Sequence, residues 1–220
     1  MTVVRDRAAL YATLRAGLAE LGIAPEPSAV EALLDYIELL TRWNGAYNLT
    51  AVREPRQMVT QHLLDSLAVA HLVHGDSLAD IGSGAGLPGI PLALLAPERQ
   101  VTLVDANGKK ARFLREAVRV LALRNVRVEA QRAEELTGTY DTVTARAFGT
   151  LADIVAQSGQ LLAPDGILLA LKGHLRADEL LALPAGFVAD VQPLRVPGLA
   201  AARHAVIIRR SQPVLQGHAA

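Results

Sequence analysis

Hydrophobic positions in the first third of the chain recur every three to four residues, the spacing of amphipathic helices. Three helices are predicted in this way, over 5–22, over 28–43 and from Pro55 to about Val73. Ser28 is the expected N-cap of the second helix, and the segment 44–50 is expected to break it. Residues 1–74 would then form a helical extension that precedes the rest of the fold.

From residue 78 the pattern changes to short apolar runs that alternate with helical ones. Strands are predicted over 78–81, 101–105, 126–131, 139–146 and 166–172, and the clearest intervening helix over 109–123. Such alternation indicates a parallel sheet covered on both faces. The last two predicted strands, 187–196 and 203–210, are joined by only six residues, which requires an antiparallel pair.

A mostly parallel sheet that ends in an antiparallel hairpin is the outline of a class I methyltransferase. We therefore predict an α/β, Rossmann-like domain of this S-adenosylmethionine-dependent class over 75–212, with a seven-stranded sheet. The helical extension 1–74 would pack on it. The tail 213–220 is expected to be disordered, and the chain is expected to be a monomer.

Composition narrows the range of functions. About half of the residues are apolar, enough to bury a sizeable core, and the chain has no cysteine. Disulfides, zinc–thiolate sites and cysteine nucleophiles are therefore excluded. No secretory leader and no stretch of 18 apolar residues is found, so we expect a soluble, cytoplasmic protein without a membrane span. The formal net charge is zero, so composition alone gives no support for nucleic-acid binding.

A glycine-rich loop, Gly82–Gly89, follows the first predicted strand. Gly84, Gly86 and Gly89 fit the dinucleotide fingerprint, although Pro88 lacks an N–H that a pyrophosphate site would use. S-adenosylmethionine has no phosphate and carries positive charge, so it needs close backbone approach and nearby carboxylates. The loop therefore favours S-adenosylmethionine over NAD, and a tight turn without a ligand is the less favoured alternative.

Acidic residues follow the predicted strands. Asp80 would favour the positive end of the ligand, and Asp105 can accept both ribose hydroxyls, as an acid also does in NAD sites. Ala133 and Glu134 follow the third strand, where an amide and a carboxylate can pair with an adenine edge. Alternatively, Glu134 only stabilises a helix start.

Several segments together resemble one family. The stretches ADIGSGAGLPGIPLAL, VDANGKKARFL, RAEEL, ARAF and LLALKG, with YNLTAVREP and HLLDSLA upstream, are similar to the RsmG (GidB) family of bacterial 16S rRNA methyltransferases. The resemblance runs from about Trp43 to the final hairpin. It implies methyl transfer to N7 of one guanosine, S-adenosylmethionine as cofactor and 16S rRNA or the small ribosomal subunit as partner. Ala106 and Ala145 depart from the family pattern, where serine is common.

The resemblance also implies site residues. Gly82, Leu87, Ala133, Glu134 and Arg146 match the cofactor-binding positions, and Gly84 and Asp105 would lie beside them. Arg146 is also the candidate catalytic residue, as a donor to the base or to the cofactor carboxylate, with a surface ion pair as the alternative. Phe148 would stack on a flipped base or pack in the core. Guanine N7 has a lone pair and no proton, so no general base is required.

Contact with RNA rests on the resemblance. The candidate residues are Arg53, His62, Lys172, Arg176 and Arg203. The basic residues of 109–119 are more simply interpreted as a solvated helix face, and no metal site is predicted. Two other functions stay open at this point: an NAD(P)-dependent oxidoreductase, and a non-catalytic RNA-binding or ribosome-assembly module.

Overall fold

The computed structural model describes residues 6–211, so the tail predicted over 213–220 lies outside the described residues. Eight α-helical segments are found in the described range: α1 Arg7–Glu20, α2 Pro27–Tyr47, α3 Pro55–Met58, α4 Asp65–Leu67, α5 Gly89–Leu95, α6 Gly108–Val120, α7 Leu151–Ser158 and α8 Ala177–Leu181. A π-helical segment, Val59–Leu64, joins α3 to α4. Short 3₁₀ turns cover Ala70–Leu72, Ala133–Glu135 and Gly159–Leu161.

Seven strands form one sheet in the order β3-β2-β1-β4-β5-β7-β6. Their bounds are β1 Ser77–Ile81, β2 Gln100–Val104, β3 Val126–Glu129, β4 Tyr140–Arg146, β5 Leu162–Lys172, β6 Phe187–Leu194 and β7 Arg203–Arg210. The first five pair in parallel, whereas β7 pairs antiparallel with both β5 and β6. The predicted α/β fold, with its parallel sheet and antiparallel C-terminal hairpin, is confirmed.

The N-terminal helices share a core with one face of the sheet. Leu14 of α1 and Leu33 of α2 are fully buried in the same cluster as Leu103 of β2 and Phe113 of α6. The opposite face is covered mainly by α7, through residues such as Ile154. The extension thus packs on the sheet as an integral layer, because its apolar stripe has no other surface to cover.

Two details of the helix predictions are wrong. Helix α2 begins at Pro27 after Glu26, so Ser28 lies inside the helix and is not its N-cap. Proline suits this first position because its fixed φ is already helical. The helix also continues through 44–47 and ends at Tyr47, followed by the C-cap Asn48, whose φ of 50° is left-handed. Asparagine tolerates that conformation better than most residues.

The third predicted helix is present but irregular. Its middle, Val59–Leu64, widens into π-helical geometry, and it ends with the 3₁₀ turn Ala70–Leu72. Widened segments of this kind are frequent at functional sites.

In the described part of the chain, no helix is long and apolar enough to cross a bilayer.

Candidate functional site

The glycine-rich loop leaves β1 at the carboxyl edge of the parallel strands. Gly82, Gly84 and Gly86 all have positive φ, at 64°, 59° and 86°, which explains why glycine is needed at these positions. A side chain on Gly86 or Gly89 would collide with packed side chains of the core. The loop therefore depends on glycine both for its turns and for its close packing.

The three glycines of the dinucleotide pattern have their amides engaged within the protein. The Gly84 N–H donates to Asp105 Oδ2 at 2.9 Å, Gly86 N–H to the Ser83 carbonyl at 2.7 Å, and Gly89 N–H to Asp80 Oδ2 at 3.2 Å. A pyrophosphate would need such amides as free donors. The loop geometry therefore disfavours a dinucleotide.

Asp80 is fully buried beneath the loop. Its carboxylate also accepts a hydrogen bond from Thr144 Oγ1 at 2.9 Å, and burial raises the pKa of Asp80 to about 6. It does not line the cavity beside the loop. Its carboxylate instead holds α5 and β4 against β1, and the expectation that its charge favours the positive end of a ligand stays a prediction.

A cavity of about 350 Å³, here called the first cavity, opens beside Gly82. Its wall includes Asp105, Ala106, Ala133 and Glu134, from the loops that follow β2 and β3. The parallel strands bring these loops together at one edge, the usual ligand position in such sheets. A volume of this size is typical of a small-molecule site.

The residues around the first cavity fit S-adenosylmethionine. Gly82 offers backbone without a side chain, Asp105 offers a buried carboxylate, and Glu134 is exposed at the rim. Asp105 is held in place by the N–H groups of Gly84 and Asn107, at 2.9 and 2.8 Å. An acid fixed in this way can accept ribose hydroxyls without further reorganisation.

The segment Ala147–Gly149 forms the wall between the first cavity and a neighbouring one. Ala147 and Gly149 both have left-handed backbones, with φ of 54° and 53°. The Phe148 ring lies against Gly82, where an added Cβ would come within 2.5 Å of Cδ2. Phe148 is partly buried and packs against the core cluster on the α7 side of the sheet, and, like Ala147, it lines both cavities.

The second cavity, of about 320 Å³, is lined by charged side chains from distant parts of the chain. Arg146 Nη1 donates to Asp65 Oδ2 at 3.1 Å, and Arg203 Nε donates to Asp65 Oδ1 at 2.8 Å. Asp65 is only 8% exposed, so these are protected ion pairs. They connect the N-terminal extension to β4 and β7.

His62 and Lys172 also line the second cavity. His62 is buried, its Nε2 lies 2.9 Å from Thr50 Oγ1, and burial together with the charge of Arg146 lowers its pKa to about 4. Lys172 pairs with Glu179 at 2.7 Å and donates to the Gly149 carbonyl at 2.7 Å. Lys172 thus braces the segment between the two cavities.

The structure separates the predicted site residues into groups. Gly82, Asp105, Ala133 and Glu134 meet at the first cavity, while Arg146, His62, Lys172 and Arg203 meet at the second. Gly84 and the buried Leu87 lie in the loop itself. The roles assigned to these residues stay predictions.

Two of the predicted RNA-contact residues lie on the surface. Arg53 is exposed and donates to Asn48 Oδ1 at 3.1 Å, and Arg176 is exposed and pairs with Asp178. They belong to neither cavity. Within residues 6–211, no three His, Asp or Glu side chains are grouped as metal ligands.

Sequence reasoning missed Asp65 and Tyr36. Asp65 lies in the HLLDSLA segment, which contributes to the family resemblance but suggests no role for its acid. The Tyr36 hydroxyl donates to the Ala85 carbonyl at 2.6 Å and so supports the glycine-rich loop from α2. In the sequence, nothing distinguishes Tyr36 from the other residues of an amphipathic helix.

Comparisons with known proteins agree with this geometry. A family model described as rRNA small subunit methyltransferase G (GidB) matches residues 29–207. The ribosomal RNA small subunit methyltransferase G of Stenotrophomonas maltophilia is 56% identical over 204 residues, covering 91% of this chain and 95% of that protein.

Solved structures share the fold at low identity. A precorrin-6y methyltransferase from Geobacter metallireducens aligns with a TM-score of 0.53 at 18% identity, covering 76% of this chain and 92% of its own. A SAM-dependent methyltransferase from Aquifex aeolicus aligns with a TM-score of 0.52 at 18% identity, covering 66% and 89%. The fold is therefore that of the Rossmann-like, S-adenosylmethionine-dependent methyltransferases.

Proposed function

The chain belongs to the rRNA small subunit methyltransferase G family, and on that premise we propose that it methylates N7 of one guanosine in bacterial 16S rRNA. The observation that carries this proposal is the adjacency of the two cavities. One fits S-adenosylmethionine, the other is large enough for a base, and they share Ala147 and Phe148. A methyl donor in the first cavity and an acceptor base in the second would be close neighbours, so that the acceptor nitrogen can be aligned with the methyl group.

The residues of the first cavity would hold the cofactor. Asp105 would accept the ribose hydroxyls, and Ala133 and Glu134 would pair with the adenine edge. Gly82 would let the ligand approach the backbone. When bound there, S-adenosylmethionine supplies a methyl group on a sulfonium sulfur, a group that a lone pair can attack directly.

The second cavity suits an acceptor that needs no general base. The Asp65 carboxylate is engaged by two guanidinium groups, Lys172 is paired with Glu179, and His62 is a weak base with its pKa near 4. Guanine N7 fits these surroundings because it has a lone pair and loses no proton on methylation. The work of this chain would be alignment and exclusion of water.

Methyl transfer to RNA tests the proposal directly. The purified protein is incubated with S-adenosylmethionine and with small subunits, or naked 16S rRNA, from cells that lack this enzyme. We expect one new 7-methylguanosine, mapped by cleavage of the RNA chain at the modified base. Absence of transfer, or a methyl group on another atom, would contradict the proposal.

Cofactor binding separates this function from the alternatives. Calorimetry should detect S-adenosylmethionine binding and no NAD binding, because the amides of the dinucleotide pattern are already bonded within the protein. Binding of NAD alone would support an oxidoreductase. Cofactor binding without any methyl transfer would support the non-catalytic module.

The surface cations Arg53 and Arg176 would contact RNA phosphates. Replacing both by Ala should weaken RNA binding and flatten its salt dependence, by roughly 0.7–0.9 units of slope for each lost contact. The matched control is the pair Arg115 and Arg119 on α6, predicted to be a solvated face. Equal effects in both double variants would contradict the assignment of Arg53 and Arg176 as RNA contacts.

We also propose that the protein acts as a monomer in the cytoplasm.

A further inference from the structure

Asp65 has acceptor capacity that its two arginines do not use. An ionised carboxylate offers about four acceptor positions, and Arg146 and Arg203 each occupy one. The residue lines the second cavity, directly after the π-helical segment Val59–Leu64. A buried acid that borders a cavity and retains free lone pairs can receive further donors from whatever enters.

The second cavity also offers donors of fixed orientation. Arg146 and Arg203 are held by Asp65, with side chains only 20% and 25% exposed. A guanidinium carries five N–H groups, so each arginine keeps donors that Asp65 does not engage. The cavity thus combines one anionic acceptor with cationic donors.

We propose that Asp65 is the residue that selects guanine in the second cavity, accepting hydrogen bonds from its N1–H and 2-amino group while Arg146 donates to O6. This inference rests on the proposed function. Guanine N7 and O6 lie side by side, and the 2-amino group lies at the opposite end of the base. Ala147 and Phe148 border both cavities, whereas Asp65 borders only the second, which suits N7 directed at the shared wall.

Other bases present the wrong groups to these side chains. Adenine has an acceptor at N1 and an amino group at position 6, so it would place a lone pair at Asp65 and a donor at Arg146. Each mismatch leaves a desolvated polar group unpaired, which costs more than the lost bond alone. The same acid that holds the two arginines would therefore reject adenine.

Asp65 would also contribute to the rate. As N7 gains the methyl group, the base becomes positively charged, and its N1–H and 2-amino groups become stronger donors. A hydrogen bond that strengthens in this way stabilises the transition state more than the bound substrate. We expect the effect of Asp65 to lie in kcat as well as in KM.

The test uses 16S rRNA in which the guanosine located by the mapping experiment is replaced by inosine. Inosine lacks only the 2-amino group and retains N7, N1–H and O6. The wild-type protein should methylate the inosine RNA roughly ten- to a hundredfold more slowly in kcat/KM. This comparison requires no protein variant, so it is independent of folding.

The second arm uses Asp65→Asn, with Asp190→Asn as matched control. Asp190 forms an exposed ion pair with Arg209 on the C-terminal hairpin, and neither residue lines either cavity. Asp65→Asn should lose activity on both RNAs, because inosine keeps N1–H and both arginines lose their charged partner. The loss should be roughly tenfold larger on guanosine RNA, so that the preference for guanosine largely disappears. Asp190→Asn should keep the wild-type preference.

The outcomes separate the two proposals. Lack of wild-type activity on guanosine RNA would refute the proposed function. Normal activity with equal rates on guanosine and inosine would refute the role of Asp65. Equal losses on both RNAs in Asp65→Asn would also refute it, because a residue that only supports the arginines would not distinguish the two bases.

Discussion

The hydroxyl of Tyr36 donates a 2.6 Å hydrogen bond to the carbonyl of Ala85, and so links the N-terminal extension to the glycine-rich loop. Both residues are buried, and 49 positions separate them in the chain. The loop that borders the first cavity is therefore supported from outside the sheet. The N-terminal helices take part in forming the site as well as covering the core.

Tyr36→Phe should destabilise the protein and weaken cofactor binding together. Removing the hydroxyl leaves the Ala85 carbonyl without its donor in a buried position, at a cost of about 1–3 kcal/mol. Urea unfolding and calorimetric titration with S-adenosylmethionine measure the two effects. Tyr140→Phe is the control, since the Tyr140 hydroxyl is bonded to Arg127 at the other end of the sheet. Unchanged cofactor affinity in Tyr36→Phe would mean that the loop does not need this support.

Gly82→Asp should abolish S-adenosylmethionine binding while the circular dichroism spectrum stays that of a folded protein. The position has a φ of 64° and the Phe148 ring against it, so the new side chain would enter the space beside the first cavity. Gly186→Asp is the control, because that glycine also has a positive φ but an added Cβ there would have nothing within 4 Å. If Gly82→Asp binds the cofactor as well as Gly186→Asp does, the glycine-rich loop has only a structural role.

Asp105→Asn should weaken S-adenosylmethionine binding by roughly tenfold or more, because hydrogen bonds to a charged acceptor contribute about 1.5–3 kcal/mol. The matched control is Asp141→Asn. Asp141 likewise accepts from two backbone amides, those of Asp76 and Ser77 at 3.0 and 2.9 Å, but it lies where β1 and β4 begin. Both variants should lose stability, and only Asp105→Asn should lose affinity for S-adenosylmethionine, as measured by calorimetry. Similar affinities would contradict the ribose assignment.

Arg146→Ala should lower the single-turnover rate of methyl transfer roughly ten- to a hundredfold at saturating RNA and cofactor. The change removes a charged donor from the second cavity and leaves Asp65 with Arg203 alone. Arg209→Ala also removes an Arg–Asp ion pair, but an exposed one that borders neither cavity, and should leave the rate unchanged. An unchanged rate in Arg146→Ala would mean that the ion pair between Arg146 and Asp65 has only a structural role.

The pH dependence of stability should change in opposite directions in His62→Gln and Asp80→Asn. The folded state lowers the pKa of His62 from 6.5 to about 4, so its contribution is full above pH 6.5 and is lost as the pH falls towards 4. The folded state raises the pKa of Asp80 from 3.8 to about 6, so its contribution is full below pH 3.8 and is lost as the pH rises through 6.

Urea unfolding between pH 4 and 7 measures both effects. His62→Gln should lose less stability than the wild type on acidification, by up to about 3 kcal/mol for a shift of this size. Asp80→Asn should lose more than the wild type. If the free energy of unfolding of a variant changes with pH in parallel with that of the wild type, the replaced residue titrates alike in the folded and unfolded states.

The sequence by itself determined the sheet and the first cavity. Strand positions could be predicted because alternating apolar runs and short connections are local properties of the chain, and β7 was found over the predicted 203–210. The glycine loop and Asp105 were likewise recognisable, since parallel strands bring the loops at their carboxyl ends to one edge. Ser28 failed as a cap because Pro27 competes for the same helix start, a balance that residue types alone do not decide.

Only the tertiary structure decided the second cavity. Asp65 is 81 residues from Arg146 and 138 residues from Arg203 in the chain, and nothing in their local patterns joins them. Asp80 shows the same limit, because its place at a strand end does not reveal that it is fully buried and bonded to Thr144 and Gly89. Local periodicity reports which face of an element is apolar. Which charged side chains become partners depends on how separate elements pack, since ion pairs form between groups that are close in space, whatever their distance along the chain.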